Sequence, residues 1–300
     1  MFIKGLFADK SALFQLYLLL LLVTGGLLLS TVISTAILLL SQGLQGSQEG
    51  WASNPNAMRI AQLIAAVGTF LLPAWIFAGL CSHQPKRYLS VGSLPTIEIL
   101  ALTFVSVLLI NPTISLTHLL NQQMELPSFM GGIEQWMRSQ EEEMERLTRL
   151  LLSEKGIFPL IANLLVIALA AGITEEFLFR GALLRVLERW TTNHHLMIWI
   201  AAALFSAFHM QFYGFLPRML LGAYFGYLLY WSRNIWIPVF AHFTNNALAV
   251  VCMSDEQLKQ NEFLSGEITP PNLLPYLVMA IIGLAFFYVC GKKIKELTTT

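Results

Sequence analysis

Six polar side chains stand where an apolar sequence has little reason to keep them. Glu175, Glu176 and Arg180 lie in Ile173-Thr-Glu-Glu-Phe-Leu-Phe-Arg180, continuing an uncharged run that begins at Ile157. His209 closes Phe205-Ser-Ala-Phe-His209, and His242 and Asn246 belong to Ala241-His-Phe-Thr-Asn-Asn246. An ionisable group near the middle of a bilayer costs several kcal/mol, so each such position points first to function. Glu176 and Arg180 are four residues apart with the acid first, the order an i, i+4 ion pair favours. Glu175 is turned about 100° away from Glu176 and keeps a carboxylate that its own helix does not satisfy. His242 and Asn246 are also four apart and share a face of another helix.

A free carboxylate, two imidazoles and an amide are the parts needed to activate a water and hold an oxyanion. Glu175 with His209 would polarise the water, while His242 and Asn246 would donate to the negative oxygen of a tetrahedral intermediate. Peptide hydrolysis fits these parts. A lone histidine inside an apolar helix is more often a structural hydrogen-bonder, and the second histidine with its amide is what turns the reading toward chemistry. Ser206 sits three residues before His209 with no elbow-type turn around it, so no serine nucleophile is assigned. A glutamate and two histidines could also hold zinc with one open position. The cofactor is left open, with Glu175, His209 and His242 as the ligands if a metal is bound, although HExxH is absent and water activation without a tightly held metal is preferred.

These groups need helices that cross a membrane. The 300 residues are 56% hydrophobic and 12% charged, against about 25% charged in soluble domains, which rules out a water-soluble protein. With 18 Lys+Arg against 18 Asp+Glu there is no basic field to attract nucleic acid. The lipid bilayer and a peptide or protein substrate are the expected partners. Cys81, Cys252 and Cys290 have no CxxC spacing and read as small buried hydrophobes rather than disulfides or metal ligands.

About eight apolar runs approach the roughly 20 residues that a helical span requires. They cover approximately 12–40, 60–81, 97–120, 157–173, 196–213, 216–231, 235–252 and 273–291. The first is too long for a signal-peptide core and is read as a retained span. Ile157 to about Trp190 reads as one long helix, Pro73 and Pro112 as sites of kinks, and Thr298 to Thr300 as a frayed tail. The expected fold is all-α, a polytopic membrane bundle of about eight spans. One integral membrane domain is expected over 1–300, with a motif-bearing core at about 157–252.

Lys and Arg are concentrated in connections on the side of both termini, including Lys86, Arg87, Arg180, Arg185, Arg189, Arg233 and Lys292, so both termini are expected in the cytoplasm. The outer connection at about 121–156 holds Glu134, Glu141, Glu142, Glu143 and Glu145 beside Met144, Leu147, Leu150 and Leu151. It reads as an amphipathic surface helix, either a plain solvated face or a gate for substrate. The turn Trp231-Ser-Arg-Asn-Ile-Trp236-Ile-Pro238 is expected to set the helix that bears His242. His194, His195, His83 and His118 fall in connections or at span ends, where solvated roles are expected.

Taken in order, these motifs resemble the CPBP family, the CAAX proteases and bacteriocin-processing enzymes also called the Abi family of intramembrane endopeptidases. That pattern is Glu-Glu-x-x-x-Arg, then Phe-x-x-x-His, then His-x-x-x-Asn, matched here by Glu175, Glu176 and Arg180, by Phe205 and His209, and by His242 and Asn246. The resemblance implies an eight-helix membrane fold in which Glu175 and His209 activate water, His242 and Asn246 attend the oxyanion, and Glu176 and Arg180 orient the others. It implies a bacterial inner (plasma) membrane location, and peptide cleavage is as far as it extends. A non-enzymatic scaffold or bacteriocin-immunity protein is the alternative. A transporter is a third reading, weakened because matching pairs of broken helices are missing.

Overall fold

The computed structural model describes residues 4–42, 54–261, 266, 268 and 272–299. Among these, nine main helices follow in order: α1 (Ala12–Gln42), α2 (Pro55–Cys81), α3 (Ile97–Gln122), α4 (Gly131–Leu151), α5 (Ile157–Glu188), α6 (His194–Phe208), α7 (Phe215–Ser232), α8 (Trp236–Ser254) and α9 (Leu273–Thr299). The protein is an all-α polytopic membrane bundle. α1, α2, α3, α5, α8 and α9 are long and apolar enough to cross a membrane, and α6 is a shorter apolar helix. Each of the eight expected runs contains a helix, six of which are those candidate spans.

Local chemistry sets the helix ends. Asn54 accepts the Asn56 and Ala57 amide hydrogens ahead of α2, Thr96 accepts that of Ile99 ahead of α3, and Asn193 accepts those of His195 and Leu196 ahead of α6. Such side chains satisfy the first-turn N–H groups that no helical carbonyl can reach. α7 stops where Arg233 adopts a left-handed conformation, φ 51°. The Asn234 side chain then bonds the Ser93 carbonyl, and the Ile235 amide bonds that of Ser90. This fixes the turn that launches α8.

Three boundaries differ from the sequence reading. The span expected at 196–213 ends at Phe208, because Met210 turns to φ 55° and a short 3-10 turn, Phe212–Gly214, follows. His209 therefore caps the end of α6 instead of lying deep within a span. α5 ends at Glu188, not Trp190, and is not uniformly α-helical: Leu164–Ala170 and Phe177–Leu183 are π-helical turns on either side of the glutamates. The Thr298 hydroxyl donates to the Ile294 carbonyl within α9, so the chain is helical to Thr299, and Thr300 lies outside the described residues. Pro73 lies at the second position after another π-helical turn, Val67–Leu71, which accommodates its missing N–H.

The core joins α2, α5, α6 and α7 through Phe77, Leu178, Phe179, Ile198, Phe205 and Ala223. α9 packs along α3, and α8 packs on α5 and α3. Leu21, Leu28, Ile281 and Tyr288 point outward from α1 and α9, as expected where acyl chains replace water. Helices gain little from hydrophobicity against lipid, so close approach at small residues matters. Gly172 is such a point: a Cβ there would stand 3.2 Å from the Phe243 nitrogen and 3.3 Å from the Val239 carbonyl. α5 can thus lie directly on α8, and the two glutamates come beside His242.

Candidate active site

Glu175 and Glu176 are adjacent in sequence but face different surroundings. Glu176 is fully buried, and its Oε1 accepts from Arg180 Nη1 at 2.8 Å and from His242 Nδ1 at 2.8 Å. Arg180, 1% exposed, also donates from Nη2 to the Gly222 carbonyl at 2.8 Å and lies 4.5 Å over the Phe205 ring. A Cβ on Gly222 would come within 3.1 Å of Phe205 and 3.2 Å of Arg180 Nη2. The bare backbone there admits both groups. The pair expected from i, i+4 spacing is present, and it also fixes His242.

Glu175 is partly exposed, and its Oε2 is buried without a hydrogen-bond partner. His209 Nε2 faces that oxygen at 3.7 Å and His242 Nε2 at 3.9 Å. The other nitrogen of each ring fixes its tautomer. His209 Nδ1 lies 2.8 Å from the Phe205 carbonyl, and His242 Nδ1 lies 2.8 Å from Glu176 Oε1. Both acceptors lack a proton to give, so each Nδ1 carries hydrogen. In the neutral rings each Nε2 then presents a lone pair toward Glu175. Both imidazoles thus face the same carboxylate oxygen.

Ligands of tetrahedral zinc, at bonds of about 2.0–2.1 Å, stand about 3.3 Å from one another. A water hydrogen-bonded at about 2.8 Å to two acceptors bridges roughly 4 Å. Among the described residues no three His, Cys, Asp or Glu side chains could hold a metal ion as they stand.

The rings are held by aromatic contacts. Phe205 meets His209 edge-on at 4.9 Å, and Phe225 stacks on His242 at 5.2 Å. Asn246 Nδ2 donates to the Ile167 carbonyl at 3.1 Å, inside the first π-helical turn of α5, and its Oδ1 accepts from Asn245. One amide hydrogen of Asn246 is thereby engaged and the other remains. Ser206 Oγ donates to the Phe215 carbonyl at 2.7 Å, a structural bond between α6 and α7.

Glu175, His209, His242 and Asn246 all line one cavity of about 500 Å³. Glu176 and Arg180 are not in its wall and support it from behind. Polar lining residues that the sequence reading did not single out include Asn245, Gln211 and Arg218, and Glu141 of the outer connection joins them. Glu141 comes from the acidic face of α4, where it accepts from the Tyr213 amide at 3.3 Å. His118, read as a solvated span end, also lines the cavity and pairs with Gln122. Arg218 carries a usable sign, a charge at the third residue of the apolar run at 216–231.

α4 is docked at both ends. Trp136 packs on Phe212 at 5.3 Å, and Arg138 lies 4.8 Å over the Tyr213 ring. At the other end Arg59 of α2, 4% exposed, bonds the Leu151 carbonyl, Glu154 and Asn163 together. Met137 and Leu151 supply its buried face, whereas Met144 is exposed. Outside the spans, the Arg138 guanidinium holds the Glu134 carboxyl below its usual range, helped by the Leu126 amide.

A membrane bundle with a carboxylate, two imidazoles and an amide around a polar cavity defines an integral membrane protein with the parts of a hydrolytic site. Residues 157–248 match the family described as type II CAAX prenyl endopeptidase Rce1-like. This matched segment holds all the motifs that resemble the CPBP family. It is also similar to "Uncharacterized protein YpbD" of Bacillus subtilis (strain 168), 24% identical over 135 residues that cover 44% of this chain and 65% of that protein. No solved structure matches the chain.

Proposed function

We propose that this protein is an intramembrane endopeptidase that hydrolyses peptide bonds with water activated by Glu175 and His209. The observation that carries the reading is the unpartnered Oε2 of Glu175, faced at 3.7 Å by the unprotonated Nε2 of His209 in the cavity wall. A water between them gives a hydrogen to each and turns a lone pair toward the scissile carbonyl. On attack the O–C bond forms, the carbonyl π pair moves to oxygen, and His209 Nε2 takes the proton. The same proton then passes to the leaving nitrogen as the C–N bond breaks.

The negative oxygen is met from α8. Asn246 offers its second N–H, and its first bond to Ile167 fixes the amide plane. Because His242 Nδ1–H is committed to Glu176, His242 Nε2 donates to this oxygen only after its lone pair takes a proton from solvent in the cavity, with the Glu176 carboxylate then the counter-ion. Arg180 holds that carboxylate in place. Glu176 and Arg180 are therefore positioning residues. The Rce1-like match over 157–248 contains every one of these positions. The 1–300 chain acts as one membrane domain, with both termini on the cytoplasmic side of a bacterial plasma membrane. The positive-inside distribution supports that orientation.

The test is cleavage of a peptide library by purified protein in lipid nanodiscs, read as new termini by mass spectrometry. Wild type should cut, and Glu175→Gln and His209→Ala should not while remaining folded. Undiminished cutting by Glu175→Gln would refute the mechanism. No cutting by wild type, with the variants equally competent in the cell, would favour a scaffold or immunity role.

A further inference from the structure

The active-site cavity carries a second charged group whose position the hydrolytic reaction leaves unexplained. Arg218 lies in the first turn of α7, where the helix dipole opposes a cation, so local stability gives no reason for it. Its Nη2 donates to Gln211 Oε1 at 2.8 Å and its Nη1 to the Gln211 carbonyl at 3.3 Å. Both acceptors are neutral. Among the described residues it has no ion-pair partner within 4.0 Å. Two acids share its cavity without bonding it: Glu175 faces the two histidines, and Glu141 is turned to the Tyr213 amide and, at 3.5 Å, to the Gln211 amide nitrogen. Gln211 thus separates Glu141 from Arg218, giving its nitrogen to one and its oxygen to the other.

The guanidinium is also pre-oriented. It lies flat against Gly214, where a Cβ would stand 3.2 Å from Nη2. Of five N–H donors, two are engaged and three remain for the cavity that Arg218 lines. A fork of this kind matches a carboxylate in two parallel bonds, and is far more costly to leave unpaired inside a membrane protein than in water.

We propose that Arg218 is a substrate-recognition residue that binds a carboxylate of the peptide, so that this protein prefers peptides bearing a carboxylate near the bond it cuts. The inference rests on the endopeptidase reading. The carboxylate has two sources, a free carboxyl terminus or an Asp or Glu side chain, and the same experiment separates them.

The probe is a library of N-dansylated apolar pentapeptides in three forms: free acid, carboxamide, and carboxamide with one internal Glu. Retention is measured on the Glu175→Gln protein in nanodiscs, which reads binding without turnover. A carboxylate-bearing form should be retained about tenfold or more over the plain amide, and whichever form is retained names the source. The preference should vanish when Arg218→Gln is added. Gly214→Ala, whose backbone φ of −113° an alanine adopts freely, displaces the guanidinium without removing it. It should lower the preference several-fold, which keeps the test decisive should Arg218→Gln not fold. Equal retention of all forms, no retention of any, or a preference that survives both substitutions overturns the inference. Acid-selective retention by a protein that cleaves nothing would instead retain this site and remove the endopeptidase reading.

Discussion

One substitution, glutamate to glutamine, should have opposite consequences at two neighbouring residues. Glu176 is fully buried and its Oε1 receives hydrogen bonds from both Arg180 and His242. Its Oε2 has no partner. In Glu176→Gln the charge that neutralises Arg180 is gone, and the new NH2 takes the unpartnered place with no acceptor. Removing one member of a buried ion pair costs about 3–5 kcal/mol. At about 2–4 °C per kcal/mol for chains of this order, Tm should fall by roughly 6–20 °C. Glu175 offers the contrast: its Oε2 is buried, unpartnered and faced by two lone pairs. Losing that charge relieves desolvation, so Glu175→Gln should hold Tm within about 2 °C or raise it. Cys81 and Cys252 are buried, so a thiol-reactive fluorophore reports unfolding of purified protein in detergent. A Glu176→Gln protein as stable as wild type, or a Glu175→Gln protein destabilised as much, would refute this division of roles.

Asn246→Ala removes an oxyanion donor and should reduce kcat by about 10²–10³ with a small change in KM; an unchanged kcat in peptide-cleavage kinetics would take Asn246 out of the reaction. Arg59→Ala removes the clasp that joins Leu151, Glu154 and Asn163, leaving buried polar groups unpaired at a cost of about 1–3 kcal/mol each. Trypsin should then cut α4 at Arg146 and Arg149 faster than in wild type, and equal rates would show that the clasp does not hold the helix. Chelation with EDTA should leave peptide cleavage unchanged; activity lost and restored by added zinc would overturn the metal-free mechanism.

Much of the fold was legible because bilayer thickness acts on a simple quantity, the length of an uncharged run. Each of the eight expected runs contains a helix, and six of these helices are long and apolar enough to span. Charges placed in apolar sequence were equally legible, and the structure brings Glu175, His209, His242 and Asn246 to one cavity. The end of α6 was not, since Phe205 to Tyr213 is apolar enough to continue and only backbone conformation at Met210 stops it. The π-helical turns around Glu175 and Glu176 leave no mark in hydrophobic period. Spacing predicted that Glu176 would pair with Arg180, but it could not show that the same oxygen also orients His242, because that contact joins α5 to α8. Arg218 and Glu141 reach the cavity through tertiary packing alone.

The convergence of Glu175 and His209 on one water is tested most directly by a double-mutant cycle in single-turnover peptide cleavage, using wild type, Glu175→Gln, His209→Gln and the double variant, each shown to be folded. Groups that act as one unit lose their function together. Each single substitution should slow cleavage by about 10²–10⁴, and the double variant should be no slower than the worse single one. Losses that multiply in the double variant would contradict a shared water and show two groups working apart.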